Sequence, residues 1–347
     1  MKPHDCDFLV VGAGSTGLAL VDHLLRREVG SVTLIDSLDS PQAGPTGTRL
    51  PLLAPDLSGS GPAVHRAREL YEGWSDWIEI DPELRRCGVL LPKSDRAIEA
   101  SGRVPLQGVD CARRWSSLHP DGPTCLHDKS AATVDPILVA SALMWRIRKA
   151  GGNFFPTTTL NSLVETTDGV EFTAGIRAGT ASHVFLCAGT DSLHWLDRLG
   201  VRHHFVQEKV STFTIELSDE LPPIIYWAED RALLFDRGDG LHDLQLIGRF
   251  GNSNETFPSV DWDGYAKFRQ KWKFWIPQID EAESLKASAR TQISCVDAVS
   301  TTASAGGRII FPGACGEFSP LLFPALAEFA VESHLEGSAG GLLEDLR

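Results

Sequence analysis

Membrane-spanning segments and a recognisable secretion signal are missing from this sequence. It has no run of about 18 apolar residues, the length that a bilayer-crossing helix needs, and the N-terminal stretch MKPHDCDFLVV leads directly into an apolar segment. Positive charge is also scarce, because 32 Lys and Arg residues stand against 46 Asp and Glu residues and the formal net charge is -14. These absences argue against membrane and nucleic acid as main partners and predict a soluble, cytoplasmic protein.

Cysteine patterns that would hold disulfides or a metal are missing as well. The seven cysteines are scattered, odd in number and without a CxxC pair, so neither a disulfide framework nor a zinc site follows. The adjacent His203 and His204 have no acidic partner at metal-ligand spacing. We therefore expect reduced thiols and no bound metal.

A dinucleotide-binding pattern occupies residues 7–36, which read DFLVVGAGSTGLALVDHLLRREVGSVTLID. An apolar strand leads through three glycines into a helix with leucines at helical spacing, and SVTLID forms a second strand. Gly12 would allow the turn, Gly14 would let the backbone approach a pyrophosphate, and Gly17 would let the helix pack closely on the strand. The alternative is an ordinary βαβ unit with a glycine turn.

Two further features of this segment favour a bound dinucleotide. The helix that begins near Ser15 would offer free N–H groups and a partial positive charge to phosphates. Asp36, 19 residues after Gly17, is suited to hold ribose hydroxyls, and its negative charge disfavours the 2′-phosphate of NADP. FAD and NAD remain as candidate ligands.

The rest of the chain predicts an α/β fold whose two domains are interleaved. Asp135 and Pro136 are typical of a helix start, and alternating stretches from about 205 to 295 indicate an antiparallel sheet interrupted by an aromatic helix with Trp262 and Trp272. We predict a Rossmann-like FAD-binding domain and an antiparallel-sheet substrate (cap) domain. Their predicted extents are 1–78, 134–204 and 292–347 for the first, and 79–133 and 205–291 for the second. Nicotinamide dehydrogenases usually keep this fold contiguous, so the interleaving favours FAD.

The sequence resembles the flavoprotein amine oxidases of the D-amino acid oxidase and glycine oxidase superfamily, most closely the monomeric sarcosine oxidases. The resemblance rests on VVGAGSTGLALVDHLL, LIDSLDSP, GPTGTRL, CGVLLP, VDPILVASAL, VFLCAGTDSLHWLDRLGV, IGRFG and FPGACGEFSPLLFPALAE, which span nearly the whole chain. It implies hydride transfer from the carbon beside an amine nitrogen to flavin N5, giving an imine that water hydrolyses. With oxygen as acceptor, the other product is hydrogen peroxide.

The resemblance also assigns cofactor residues beyond the glycine turn and Asp36. The matching positions are Thr48, Arg49, Gly189, Cys295, Gly313 and Gly316. Arg49 would stabilise reduced anionic flavin, unless it is an ordinary surface arginine, and the helix near Gly316 would point its positive end at the ring. Cys295 falls near the position where related enzymes attach flavin covalently. An 8α-thioether is one hypothesis there, and a buried thiol is the other.

Several positions depart from the family pattern. Leu52 and Pro320 stand where relatives that oxidise amino acids place basic groups against the substrate carboxylate. An uncompensated buried carboxylate is costly, so we expect an amine or modified amino acid other than sarcosine, glycine or an unsubstituted D-amino acid. Glu317 would hold a cationic amine or water.

The segment LQLIGRF departs in a second way. Leu246 replaces a lysine associated with oxygen activation and Phe250 replaces a histidine, which leaves Arg249 as a candidate for one of the two roles. With Phe250, Tyr226 and Trp227 would form an aromatic wall for a cyclic or aromatic donor, or else the aromatic core of the cap.

Three functions remain open from the sequence. The first is an FAD-dependent amine oxidase that releases peroxide. The second is an FAD-dependent dehydrogenase that passes electrons to another acceptor, which the missing lysine favours. The third is a flavin-binding subunit without catalysis, which the replaced carboxylate-binding positions would permit.

Overall fold

The computed structural model describes residues 5–41, 52–53, 66–67, 69–70, 72–73, 85–92, 104–133, 135–218, 220–249, 258–295, 302–313 and 319–335. The chain divides into two compact units. Unit 1 comprises Met1–Leu84, Val134–Val206 and Ile293–Arg347, and unit 2 comprises Arg85–Thr133 and Gln207–Gln292. Each unit is assembled from segments that are separate in the sequence.

Unit 1 contains both helices and strands. They are β1 (Cys6–Val11), α1 (Ser15–Arg26), β2 (Val32–Ile35), β3 (Leu52–Leu53), α3 (Pro136–Lys149), β8 (Asn153–Phe155), β9 (Leu160–Glu165), β10 (Val170–Ala174), β11 (Arg177–Leu186), α4 (Asp191–Arg198), β17 (Thr302–Ala303), β18 (Ile309–Phe311) and α6 (Ser319–Leu335). Together with unit 2, these elements confirm the predicted α/β class.

Unit 2 is built mainly of strands. Its elements are β4 (Arg85–Arg86), β5 (Val89–Pro92), α2 (Gly108–Arg114), β6 (Cys125–Asp128), β7 (Ala132–Thr133), β12 (Phe205–Glu216), β13 (Ile224–Trp227), β14 (Ala232–Gly238), β15 (Leu241–Arg249), α5 (Trp262–Trp272), a 3-10 turn (Pro277–Asp280) and β16 (Ser284–Cys295). The first two residues of β12 and the last three of β16 belong to unit 1. None of the described helices is long and apolar enough to cross a membrane.

The sheet of unit 1 has the strand order β17-β18-β11-β1-β2-β8, with β9 and β10 attached as an antiparallel ribbon to β11. From β18 to β8 all neighbours are parallel. The central strand β1 is buried from Phe8 to Val11, as expected for a parallel strand with both faces covered.

Helix α1 is fixed on the sheet by packing and by a buried ion pair. It packs against α3 and α6. The carboxylate of Asp22, 2% exposed, accepts from Arg26 at 3.0 Å and from Arg146 of α3 at 2.9 Å. The predicted helix start at Asp135 is confirmed, because its side chain accepts from the backbone N–H groups of Ile137 and Leu138.

The sheet of unit 2 has seven strands in the order β16-β12-β15-β14-β13-β5-β6. Strands β12 to β13 pair antiparallel, as predicted, whereas β13 and β5 pair parallel. The predicted aromatic helix is α5. Its Phe268 and Trp272 pack with Phe213 and Trp227 of the sheet into one apolar core. This core covers one face of the sheet, which we call the α5 face.

Candidate functional sites

The glycine turn between β1 and α1 is tight, because only Gly12 to Gly14 separate the two elements. Gly12 has a φ of +106°, in the region that favours glycine, and a Cβ there would lie against the carbonyl group of Cys187. A Cβ on Gly17 would collide with the carbonyl oxygen of Gly12. The turn and the close approach of α1 therefore both require glycine at these positions.

The N-terminus of α1 faces the turn without a side-chain cap. Gly14 is the N-cap residue, Ser15 is the first helical residue, and the first turn holds no acidic side chain. The first N–H groups of a helix have no partner within the helix and carry partial positive charge. This end of α1 is thus suited to a phosphate group.

Asp36 follows β2 directly and lies beside the glycine turn. Its Oδ2 accepts from the backbone N–H of Ala13 at 2.5 Å, and its Oδ1 accepts from the N–H of Leu38 at 2.8 Å. The parallel pairing of Val11 with Ile35 brings the carboxyl ends of β1 and β2 to the same edge. The acid is therefore held next to the turn.

Two further predicted positions lie at this same edge of the sheet. Gly189 follows the end of β11 with φ of +58°, and Gly313 follows β18 with φ of +103°. Because β11 and β18 run parallel to β1, the structure brings both glycines to the edge that holds Gly12 and Asp36. The crevice outside the carboxyl ends of such strands is where open α/β sheets bind ligands.

Sequence reasoning did not single out Cys187, which the fold places against the glycine turn. Its N–H donates to the carbonyl of Val11 at 2.7 Å, and burial raises the pKa of its thiol, which keeps it protonated. The only local signal was its position in LCAG, directly before the turn at Gly189. Its backbone forms one wall of the turn.

These residues together fit an adenine dinucleotide. The glycines allow the tight turn and the close packing of α1, the uncapped end of α1 supplies donors, and Asp36 supplies a carboxylate for ribose hydroxyls. Residues 7–314 of the chain match the family model described as "DAO: FAD dependent oxidoreductase". The chain belongs to this DAO family. It is an oxidoreductase whose cofactor is FAD.

Comparison with solved structures shows the same fold in other proteins of low sequence identity. Glycine oxidase from Geobacillus kaustophilus has a TM-score of 0.78 and 15% identity, with 98% of this chain and 96% of that chain covered. NikD, an unusual amino acid oxidase essential for nikkomycin biosynthesis, has a TM-score of 0.79 and 16% identity, with 99% and 97% covered. L-proline dehydrogenase from P. horikoshii has a TM-score of 0.76 and 13% identity, with 97% and 95% covered. No curated protein matches the sequence.

Some predicted positions of this DAO-family chain lie outside the described residues. These are Thr48, Arg49, Phe250, Gly316 and Glu317. Four others are described in their backbone and not in their side chains. Leu52 opens β3, Arg249 ends β15 opposite Glu208, Cys295 ends β16, and Pro320 is the second residue of α6.

The two aromatic residues at the end of β13 lie on opposite faces of the seven-stranded sheet. Trp227 is 1% exposed and packs edge-on against Phe268 of α5, with ring centroids 4.9 Å apart. Tyr226, one residue earlier, points away from this core, since successive strand residues alternate between faces. Trp227 thus belongs to the aromatic core, the second interpretation of the sequence, and does not form a wall with Tyr226.

The same alternation places Leu246 and Gln245 on opposite faces of the sheet. Leu246 packs in the core on the α5 face, opposite Ala232 of β14. The residue that β15 presents on the other face is Gln245, which is 4% exposed.

The face opposite α5 carries a set of buried polar side chains, and we call it the polar face. Its members on β12 and β15 include Glu208, Thr212, Asp243 and Gln245. The polar threonines of KVSTFTIEL were a period-2 signal for such a face. The sequence could not show which polar groups of different strands meet there.

Two hydrogen-bonded groups of the polar face centre on Glu208 and on Arg290. Glu208 accepts from Arg231 at 2.7 Å and from Gln292 Nε2 at 3.0 Å. In the second group, Arg290 donates through Nη1 to Thr212 Oγ1 and through Nη2 to Gln245 Oε1, both at 3.3 Å. The first group pairs the Glu208 carboxylate with an arginine, and the second joins β16, β12 and β15 through Arg290.

Proposed function

We propose that this DAO-family oxidoreductase oxidises a C–N bond of an amine or modified amino acid. The observation that carries the proposal is the carboxyl edge of the parallel sheet, where Gly12, Gly17, Asp36, Gly189 and Gly313 lie together. The names of the compared structures, glycine oxidase and amino acid oxidase, support C–N chemistry on this fold. We assign unit 1 as the FAD-binding domain and unit 2 as the substrate (cap) domain.

Bound FAD supplies the hydride acceptor at N5, and the protein supplies binding, orientation and charge. The glycine turn and the end of α1 would hold the pyrophosphate, and Asp36 would orient the ribose. We propose Thr48 and Gly316 as further cofactor contacts. Arg49, Arg249 and Glu317 stay candidates for placing charge beside the ring and the amine.

We propose two alternatives for the electron acceptor. The peroxide-forming oxidase is the main proposal. A dehydrogenase with another acceptor is the second candidate, because β15, with the sequence LHDLQLIGR, contains no lysine at or beside Leu246. The name L-proline dehydrogenase on a structure of the same fold supports this second candidate.

Anaerobic titration of the flavin tests the function and separates the candidates. We expect one class of donor, among cyclic, aromatic and N-methyl amines and their carboxylated forms, to bleach the flavin band. Restoration of the band on admitting air, with peroxide formed, identifies an oxidase, and slow restoration identifies a dehydrogenase. If dithionite bleaches the flavin and no amine does, the chain is a flavin-binding subunit. Turnover of sarcosine at about 1 to 1000 per second would contradict the expected substrate departure.

Covalent attachment of the flavin through Cys295 stays a hypothesis that intact mass decides. Acid-denatured protein should carry a mass increment of one FAD if an 8α-thioether forms, and the Cys295→Ser variant should lose that increment. The matched control is Cys187→Ser, which removes a buried thiol beside the glycine turn and should retain the increment. A mass equal to that of the bare 37.7 kDa polypeptide rules the link out.

A further inference from the structure

Two buried cysteines of unit 2 lie side by side. Cys111 of α2 and Cys125 of β6 are both 0% exposed and belong to the apolar core on the α5 face. Their side chains hydrogen-bond to each other. The sequence gives no sign of this pairing, because the two residues are well separated and form no CxxC pattern.

Backbone hydrogen bonds place the start of α2 beside the start of β6. Leu106 and Cys125 form an antiparallel bridge with N–H to oxygen-acceptor distances, measured from the nitrogen, of 2.8 and 2.9 Å. Helix α2 begins directly after Gln107, whose carbonyl accepts from the N–H of Cys111 at 3.0 Å. The side chain of Gln107 also accepts from Thr124 at 3.3 Å. Cys111 is therefore held on the turn of α2 that lies next to Cys125.

The two thiols differ in their proton affinity. When Cys111 is ionised, the Cys125 thiol can donate to its sulfur, and this hydrogen bond lowers the pKa of Cys111. The same hydrogen bond, together with burial, raises the pKa of Cys125, which keeps its proton. Because the thiolate is the nucleophilic form of cysteine, Cys111 is the member of the pair that reacts first with an oxidant.

We propose that Cys111 and Cys125 are a site of reversible oxidation, at which hydrogen peroxide converts the two thiols into a disulfide that ties α2 to β6. The Cys111 thiolate attacks one peroxide oxygen and the O–O bond breaks, which leaves a sulfenic acid and a hydroxide ion that takes up the Cys111 proton. The Cys125 sulfur then attacks the Cys111 sulfur, and the sulfenic oxygen leaves as water with the Cys125 proton. The two sulfur atoms lose two electrons, and peroxide becomes two water molecules.

This inference goes beyond the proposed function, whose oxidase form would release the oxidant beside the chain. A single thiol exposed to excess peroxide continues to sulfinic acid, which thiol reductants do not reverse, whereas a neighbouring thiol stops the reaction at a disulfide. The burial of both sulfur atoms means that peroxide reaches them when α2 opens. Helix α2 has seven residues and no side-chain hydrogen bond at its N-cap, which favours such local opening.

Thiol counting and peptide mapping of the holoprotein test the site. We expect added peroxide, removed with catalase before denaturation and alkylation, to protect two of the seven cysteines from alkylation. The mass before alkylation should fall by about 2 Da, the two hydrogen atoms lost on disulfide formation. Non-reducing digestion should yield the peptides of Cys111 and Cys125 joined together, and dithiothreitol should restore all seven thiols.

Single variants assign the two roles. Cys125→Ser should accumulate the Cys111 sulfenic acid, which dimedone traps, and Cys111→Ser should trap about tenfold less. The control is Cys87→Ser, which removes a half-buried thiol of unit 2 and should retain the disulfide. Seven reactive thiols after peroxide treatment, a different pairing, or sulfinic acid in place of the disulfide would each overturn the inference. The wild-type peptide map decides between these results even if a variant does not fold.

Added peroxide keeps this test independent of the proposed function. If no donor bleaches the flavin while added peroxide forms the disulfide, the oxidation site stands and the C–N oxidation fails. If a donor is oxidised and peroxide is released, but neither this peroxide nor added peroxide joins Cys111 to Cys125, the oxidation site fails and the C–N oxidation stands. When both hold, turnover of the donor should form the disulfide, and catalase should prevent it.

Discussion

The variant Gly17→Ala is expected to fold but to retain almost no FAD. The added Cβ would collide with the carbonyl oxygen of Gly12, so the turn or α1 must move. Displacing the backbone donors loses charge-assisted hydrogen bonds to the pyrophosphate, which corresponds to an affinity loss of about 100-fold or more. The flavin-to-protein absorbance ratio after gel filtration measures this loss.

The higher helix propensity of alanine excludes one alternative explanation for a loss of FAD in Gly17→Ala. Alanine is favoured over glycine inside a helix by about 1 kcal/mol, so reduced helix formation cannot explain the lost cofactor. The control is Gly73→Ala, where the new Cβ meets its nearest atom, the Glu69 carbonyl oxygen, at 3.5 Å. Full FAD content in Gly17→Ala would mean that the pyrophosphate does not bind at this turn.

The variant Trp227→Ala is expected to lower the free energy of unfolding of the holoprotein by about 3–5 kcal/mol. Trp227 is 1% exposed and contacts Phe268, Trp272 and Trp275, so its removal leaves a large cavity that these rings can fill only in part. Urea unfolding followed by circular dichroism measures the change. The matched control is Trp262→Ala, because this ring is 54% exposed and its removal should cost about 1 kcal/mol or less.

A conservative variant distinguishes a core role from a substrate role for Trp227. Trp227→Phe retains an aromatic ring, and we expect reduced stability with kcat/KM within a few-fold of the wild-type value. The opposite result, a large fall in kcat/KM with unchanged unfolding, would return Trp227 to the substrate wall that the sequence also allowed.

The segments best predicted from sequence are those whose determinants are local. The strand, turn and helix from Phe8 to Arg26 follow from apolar spacing and glycine positions within one short stretch. The helix start at Asp135 follows from a side chain that binds N–H groups two and three residues further on. The aromatic helix is likewise present as α5, although Trp275 lies beyond its end.

The two faces of the seven-stranded sheet were less accessible to sequence reasoning, because contacts between distant segments decide them. Successive strand residues point to opposite faces of a sheet, so Tyr226 and Trp227 lie on different faces, as do Gln245 and Leu246. The sequence alone does not show which of the two faces α5 covers. Which face is apolar depends on the position of a helix that follows β15 in the chain.

The sequence by itself determined the glycine turn, because residues close together in the chain encode it, and it predicted the family fold and the FAD cofactor from segments spread over nearly the whole chain. Only the tertiary structure placed the backbone of Cys187 against Gly12 and joined Arg290 to Thr212 and Gln245, which precede it by 78 and 45 residues. Such contacts form when sheet register aligns distant strands. That register is set by the packing of the whole core and not by the spacing of neighbouring residues.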